Sequence, residues 1–289
     1  MGKLKQVIIV LALIMWMLTQ CLTSNTETES TDTLKENITK ADITDDINIA
    51  DENDIISIEE IHKGIIRLQY KGDNFCVVYV KNNSKLDSKE YKYIIYDKDS
   101  YIFSLTDGDG TYSIKAYSVI QDSNGNELID NTSNEYNITL ENSDENIYKY
   151  STSLVNYEST ETKNLINSVF KNTNSIDEIF FYFSKIRYDD DLADSISSGV
   201  VKTHSVNFSK VIESKKGICL DIATSMAIVL RYKGYTTQLV YGYVTLGNNT
   251  AYHSWIRVYI DGNWRSYDPT FGKTSDEIND NTYRITEYH

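Results

Sequence analysis

Residues 214–235 read SKKGICLDIATSMAIVLRYKGY, an apolar stretch with a cysteine near its beginning. Ile222 and Met226 lie four residues apart among other apolar residues at helical spacing, which predicts a buried helix. Gly234 suits the position just after a helix end, where a left-handed backbone is common. Cys219 therefore falls in the first turn, where unpaired N–H groups and the helix dipole favour an anionic thiolate.

The segment 251–270, AYHSWIRVYIDGNWRSYDPT, predicts a two-stranded hairpin. Its Asp261-Gly262 dipeptide is typical of a two-residue turn, because both residues tolerate a positive φ. With these two residues as the loop, Ile260 pairs with Asn263. The register of the whole hairpin follows, since each step along one strand is matched by one step back along the other.

This register brings a histidine and an aspartate to one face of the hairpin. His253 pairs with Thr270, and Trp255 pairs with Asp268. Paired residues point to the same side of a sheet, as do residues two apart on one strand. Asp268 is then the diagonal neighbour of His253, at a backbone separation of ~7–8 Å that two side chains can span.

Cys219, His253 and Asp268 form a candidate nucleophile, base and orienting acid. The Cys219 thiolate would attack an amide carbonyl and form a thioester, while His253 passes a proton to the leaving amine. His253 would then activate water or a second amine, and Asp268 would hold the imidazole in the required tautomer. The Cys219 N–H is a candidate oxyanion donor, and the sequence indicates no second one.

A metal site is the competing use of these side chains. Its ligands would be Cys219, His253, Asp268 and His204. Their spacing is not that of a zinc site, and soft sulfur mixes with hard oxygen. We therefore expect no metal and no other cofactor.

The two motifs resemble those of the transglutaminase-like superfamily. KKGICLDIATSMAIVLRYKGY is similar to its nucleophile helix, and YHSWIRVYIDGNWRSYDPTFG is similar to its H-x-W strand followed by D-P-T. The resemblance implies a papain-like α+β fold with Cys219 as nucleophile, His253 as base and Asp268 as third member. It also implies that Trp255 packs beside the site. The family includes crosslinkers, proteases, deamidases, peptide N-glycanases and inactive relatives, so the reaction stays open.

The first residues, MGKLKQVIIVLALIMWMLTQC, are typical of an export signal. Lys3 and Lys5 precede an apolar run that is short for a membrane span. LTQC resembles a bacterial lipobox, which makes Cys21 a lipidation candidate. Residues 1–21 are thus a lipoprotein signal, a cleaved signal peptide or an uncleaved anchor, and each alternative predicts an extracytoplasmic location for the rest of the chain.

Residues 22–55 carry ten acidic residues and two lysines, a net charge of −8 out of −14 for the whole chain. The segment has no aromatic residue and few large apolar ones. Such a composition buries too little apolar surface to offset the entropy lost on ordering. We predict a disordered acidic tether here.

Two folded domains are expected after the tether. Residues 56–145 alternate apolar and polar residues between turn signals, which predicts an all-β, immunoglobulin-like sandwich with Cys76 as a buried apolar side chain. Residues 146–289 combine helical periodicity with a hairpin, which predicts the α+β domain that carries the motifs. Within it, the acidic run 188–192 is expected to be a solvated loop, with a cationic amine site as the alternative.

The predicted function is that of an extracytoplasmic thiol-dependent enzyme acting on peptide or glutamine amides, by hydrolysis or crosslinking. Its partners would be protein or peptide substrates, including cell-wall peptides, and the membrane would be met only through the N-terminal segment. A strongly acidic chain is a poor nucleic-acid binder. The alternative is a catalytically inactive surface protein that binds a partner.

Overall fold

The computed structural model describes residues 38–42, 47–49, 54–62, 64–96, 100–121, 127–141, 143–201 and 203–289. The chain divides into two compact units, one ending at Ile147 and the other beginning at Tyr148. The predicted signal and its lipidation candidate Cys21 lie outside the described residues. Among the described residues, no helix combines the length and the apolar character needed to cross a membrane.

The first unit is built from β-strands. Its strands are β1 (Ile38–Asp42), β2 (Ile47–Ile49), β3 (Ile56–His62), β4 (Ile65–Tyr70), β5 (Phe75–Asn82), β6 (Glu90–Tyr96), β7 (Ser100–Ser104), β8 (Gly110–Gln121), β9 (Glu127–Thr132) and β10 (Tyr136–Glu141). One sheet has the order β1-β10-β8-β5-β6, with β9 paired to β8, and the other has the order β2-β3-β4-β7.

Side chains from the two sheets meet in a common interior. β4, β5 and β10 alternate buried and less buried residues, as strands with one face on a core do. Tyr93 on β6 stacks on Phe103 on β7, with ring centroids 4.8 Å apart. The Tyr70 and Ser118 hydroxyls, also from different sheets, lie 3.0 Å apart. Cys76 is buried and free, which confirms its predicted role as an apolar core residue.

The predicted disordered tether is wrong at the residues that the structure describes, 38–42, 47–49 and 54–55. Asp54 is buried and accepts a hydrogen bond from the Tyr136 hydroxyl at 2.7 Å. Ile38–Asp42 pairs in parallel with β10, and Ile47–Ile49 pairs with β3. Composition misled the prediction, because a sheet edge offers backbone hydrogen bonds that do not depend on hydrophobic side chains. Most of the rest of 22–55 lies outside the described residues.

The second unit mixes helices and strands. Its helices are α1 (Thr160–Val169), α2 (Ile176–Ser184), α3 (Asp190–Ser197), α4 (Phe208–Ser214) and α5 (Cys219–Tyr232). Its strands are β11 (Arg187–Tyr188), β12 (Lys216–Gly217), β13 (Thr237–Leu246), β14 (Asn249–Ile260), β15 (Asn263–Asp268), β16 (Lys273–Thr274) and β17 (Tyr283–Tyr288). The five-stranded sheet has the order β16-β15-β14-β13-β17.

The helix α5 forms the centre of this unit. Met226 is fully buried and belongs to a cluster with Leu239 and Ile256 from the sheet. The helix ends at Tyr232, and Gly234 adopts the predicted left-handed conformation with φ of 87°. Nearly every residue of α5 is buried, so burial of apolar surface on several sides holds the helix in place.

A buried arginine ties the end of α5 to three other segments. The Arg231 guanidinium donates hydrogen bonds to the backbone oxygens of Thr237 at 2.8 Å, Tyr150 at 3.1 Å and His289 at 2.6 Å. Burial lowers its pKa to about 10, and the three carbonyl partners accept from three of its five N–H donors. The helix is thereby linked to both β13 and the residue that follows β17.

The acidic run 188–192 is not the predicted loop. Asp189 accepts a hydrogen bond from the Leu192 N–H at 3.0 Å and caps α3, whose first turn contains Asp190 and Asp191. Acidic residues are favoured there because they complement the N-terminal end of the helix dipole. The sequence rule for charge runs overlooked this capping pattern.

Candidate active site

The candidate nucleophile occupies the first helical position of α5. Ile218 is the preceding cap residue with an extended backbone, and Cys219 follows it as a buried side chain. The Asp221 Oδ2 atom accepts a hydrogen bond from the Ile218 N–H at 3.0 Å. Position 217 has no room for a side chain, because a Cβ there would lie 2.8 Å from the Asp221 Cβ.

The hairpin has the predicted register. β14 pairs with β15 from Ile260↔Asn263 to Ile256↔Tyr267, and Asp261 and Gly262 take φ angles of 50° and 79°. The ladder with β14 stops at Ile256↔Tyr267, so the predicted pairs of Trp255 with Asp268 and of His253 with Thr270 lie beyond it, and β15 itself ends at Asp268. Pro269 follows and has no N–H to continue the ladder.

Asp268 holds the imidazole of His253 and is itself fully hydrogen-bonded. Its Oδ2 accepts from His253 Nε2 at 2.8 Å and from the Tyr283 hydroxyl at 2.7 Å. Its Oδ1 accepts from the backbone N–H groups of Thr270 at 2.9 Å and Phe271 at 3.1 Å. Four donors match the acceptor capacity of one carboxylate, so its orientation is well determined.

The other ring nitrogen of His253, Nδ1, is available for interaction with the Cys219 sulfur. Nδ1 has no hydrogen bond of regular geometry, yet the Cys219 side chain is close enough to interact with the ring. Burial lowers the pKa of His253, but Asp268 and Cys219 together outweigh it and raise the pKa to about 10. An imidazolium is therefore favoured beside the sulfur at neutral pH, as a thiolate–imidazolium pair requires.

Aromatic side chains enclose the imidazole. Trp255 stacks near His253 with ring centroids 6.2 Å apart, and Phe271 lies 4.8 Å away. Trp255 in turn contacts Tyr283 edge to face at 5.2 Å. Gly242 leaves room for this arrangement, because a Cβ on it would lie 2.6 Å from the Trp255 ring. The predicted packing position of Trp255 beside the histidine is thus observed.

Tyr188 is a neighbour of Cys219 that sequence reasoning missed. Burial and then the charge of Cys219 raise the pKa of Tyr188, so its hydroxyl remains a donor. The short strand β11 carries it and pairs with β12, just ahead of the nucleophile. The adjacent acidic residues led to the prediction of a loop, and a single tyrosine is not a recognisable motif for a site residue.

His204 does not join the other three residues. Its Nε2 lies 2.7 Å from Asp221 Oδ1, so it pairs with the carboxylate that caps α5. Over the described part of the chain, no group of three or more His, Cys, Asp or Glu side chains is arranged to hold a metal ion.

Comparison with known proteins gives a match to one family model and several matches to solved structures at low identity. Residues 162–269 match the family model of the transglutaminase-like superfamily. No curated protein matches the sequence. A proposed cysteine protease from Cytophaga hutchinsonii shares 13% identity over 78% of this chain and 80% of its own, with a TM-score of 0.41.

Two further solved structures are similar. The periplasmic domain of TgpA from Pseudomonas aeruginosa shares 12% identity over 70% of this chain and 91% of its own, with a TM-score of 0.32. A TGase shares 20% identity over 39% of this chain and 38% of its own, with a TM-score of 0.25. The sequence match spans both Cys219 and His253 and reaches just past Asp268. The chain therefore carries a domain of the transglutaminase-like superfamily, mixed α/β in content, at residues 162–269.

Proposed function

We propose that the second unit is a thiol-dependent enzyme that transfers the acyl group of peptide or glutamine amides through a thioester on Cys219. The observation that carries this proposal is the buried chain of contacts from Cys219 to His253 to Asp268. A charged imidazole beside a sulfur at a helix start is the arrangement that produces a reactive thiolate at neutral pH.

The reaction follows from the placement of the three side chains. The Cys219 sulfur forms a bond to the amide carbonyl carbon, and the tetrahedral intermediate collapses as the C–N bond breaks. His253 donates its Nδ1 proton to the leaving amine and becomes neutral. It then accepts a proton from water or a second amine, which attacks the thioester and frees the sulfur. Asp268 keeps Nε2 protonated throughout.

Two donors are available for the oxyanion. The Cys219 N–H is in the first turn of α5, where it has no partner four residues earlier. The Tyr188 hydroxyl is proposed as the second, because Tyr188 pairs with Gly217, two residues ahead of the nucleophile, and its raised pKa keeps the hydroxyl protonated. Loss of one oxyanion donor typically lowers the rate by ~10²–10³, so Tyr188→Phe is expected to lower kcat while leaving alkylation of Cys219 intact.

Alkylation with iodoacetamide tests the activated thiol, with Cys76 as an internal control. Burial raises the pKa of Cys76 to about 12, so this thiol should stay inert near neutral pH. We expect peptide mapping to show rapid labelling of Cys219 and none of Cys76. Equal inertness of both cysteines, or full turnover by Cys219→Ala, would refute a catalytic role.

One observation favours a second candidate function, that of an inactive binding protein. Cys219 is only 4% exposed, so the residue offers little surface to a substrate. Binding to cell-wall peptides or proteins that is unchanged in Cys219→Ala, together with no turnover on amide libraries, would favour this candidate. The intact set of hydrogen bonds at Asp268 supports the enzymatic proposal instead.

The location and the first unit are part of the same proposal. The apolar run after Lys3 and Lys5, and the cysteine at position 21, support an extracytoplasmic protein anchored by a lipid on Cys21. The two facing sheets of the first unit support an immunoglobulin-like accessory domain. Processing of the precursor that is insensitive to globomycin would contradict the lipid anchor.

A further inference from the structure

We propose that Tyr283 on β17 is a positioning residue of the candidate triad, which tunes the basicity of His253 through Asp268. The inference rests on the roles proposed above for Cys219, His253 and Asp268. It adds a fourth side chain, and this one lies outside residues 162–269 that match the family.

The contact that carries the inference is a shared oxygen. The Tyr283 hydroxyl donates to Asp268 Oδ2 at 2.7 Å, the same atom that accepts from His253 Nε2 at 2.8 Å. Tyr283 is 3% exposed. Burial and the nearby Asp268 charge raise the pKa of Tyr283, so the hydroxyl stays protonated and acts as donor over the working pH range.

The placement of Tyr283 depends on the whole sheet. β17 pairs with β13, β13 with β14, and β14 with β15, so Tyr283 and Asp268 are separated by three strand intervals. In a flat sheet the separation across the strands alone would be about 14 Å, more than the two side chains span. The sheet therefore curves, with the face that carries Trp255 and Tyr283 on the inside. Trp255 fills the space between the strands and supports the Tyr283 ring.

Asp268 Oδ2 accepts hydrogen bonds from both His253 and Tyr283, so each donor interacts with only part of the oxygen's negative charge. With Tyr283 present, Asp268 holds the imidazolium of His253 less tightly than an unshared carboxylate would. The balance matters because His253 must keep a proton before the attack and give it up to the leaving amine. Removing the hydroxyl should leave an imidazolium that is held too firmly and a carboxylate that is less well oriented.

Nitrogen-15 NMR of the His253 ring in the full chain tests this inference without needing turnover. In Tyr283→Phe we expect the pKa of His253 to rise by about one unit, because a carboxylate that loses a donor attracts the imidazolium proton more strongly. With an amide substrate, kcat should fall about 10-fold with little change in KM. The matched control is Tyr288→Phe on the same strand, whose hydroxyl lies 3.5 Å from Arg257 instead of on the triad, and it should match the wild type.

A second variant keeps the inference testable if Tyr283→Phe does not fold. Site-specific 3-fluorotyrosine at position 283 keeps the ring and hydroxyl but makes the hydroxyl a stronger donor, so the pKa of His253 should fall. An unchanged His253 titration in both variants would overturn the inference, even in an active enzyme. A shifted titration without any thioester on Cys219 would support the role of Tyr283 and contradict the proposed function.

Discussion

The second unit contains two histidine–aspartate pairs of nearly equal length in opposite surroundings. His253 lies 2.8 Å from Asp268, and the two side chains are 1% and 0% exposed. His204 lies 2.7 Å from Asp221, and those side chains are 20% and 4% exposed. The first histidine has a ring nitrogen left over beside Cys219, whereas the aspartate of the second caps the helix that carries this cysteine.

The difference shows that a short histidine–aspartate contact does not by itself make a catalytic site. Around His253, burial strengthens the field of the carboxylate, and aromatic rings keep water away from the imidazole. Around His204, partial exposure lets water screen the contact, so its main effect is on local structure. The two pairs therefore serve as each other's controls.

Matched substitutions of the two aspartates should show the largest contrast. Asp268→Asn is expected to lower kcat/KM by ~10³–10⁴, because the amide no longer selects the required tautomer or stabilises the imidazolium. Asp221→Asn keeps an oxygen for the cap at Ile218 and should lower kcat/KM less than about 10-fold. Steady-state kinetics on an amide substrate measures kcat/KM for both variants. Equal losses of kcat/KM would contradict the proposed difference between the two pairs.

The pH dependence of stability should show the second-largest difference between the two histidine–aspartate pairs. The pKa of His253 is raised from 6.5 to about 10, so the charged form stabilises the fold fully below ~6.5. That contribution should be lost as the pH rises from ~6.5 through about 10. Urea unfolding across this range should show a falling free energy of unfolding, and the decline should weaken in Asp268→Asn but persist in Asp221→Asn. A decline of the same size in both variants would contradict the assignment to His253.

The aromatic layer over the first pair depends on Gly242. A Cβ there would lie 2.3 Å from the Arg284 carbonyl oxygen and 2.6 Å from the Trp255 ring. Gly242→Ala should lower the free energy of unfolding by ~1–3 kcal/mol, as overpacking of a core does. Denaturant unfolding measures the loss, and fluorescence of Trp255 should report its displacement. Wild-type stability in this variant would mean that the tryptophan does not pack across β13.

The smallest effect is expected at His204. His204→Gln removes the partly exposed contact with Asp221 and should cost ~1 kcal/mol of stability or less, with kcat/KM within about 3-fold of the wild type. The same substitution at His253 should abolish turnover and provides the matched comparison. A large loss of activity in His204→Gln would show that the second pair also acts on the sulfur.

Sequence could predict the parts of the site that are encoded locally. The helix start at Cys219 follows from apolar spacing, and the approach of Asp268 to His253 follows from a two-residue turn whose register is confirmed. The contacts of Tyr283 and His204 are different. Each contact depends on how segments that are far apart in the sequence pack around the site. Turn residues and hydrophobic periodicity do not predict such packing.

The strand edges show the same limit in the first unit. Composition predicted no structure before residue 56, yet Ile38–Asp42 joins a sheet through backbone hydrogen bonds. The pairing partner β10 lies almost a hundred residues later in the chain, so no local sequence pattern could predict this pairing. Long-range partners therefore account for the misses in both units.

Intact-mass trapping on Cys219 tests the central claim most directly. The wild-type chain and Cys219→Ser would be mixed with peptide and glutamine amides, quenched in acid and weighed, with and without a lysine analogue as acceptor. A thioester should appear on Cys219 in the wild type, with loss of the amine, and the acceptor should shorten its lifetime if the enzyme crosslinks. Turnover of the amides without an adduct on Cys219, or turnover that persists in Cys219→Ser, would contradict the account.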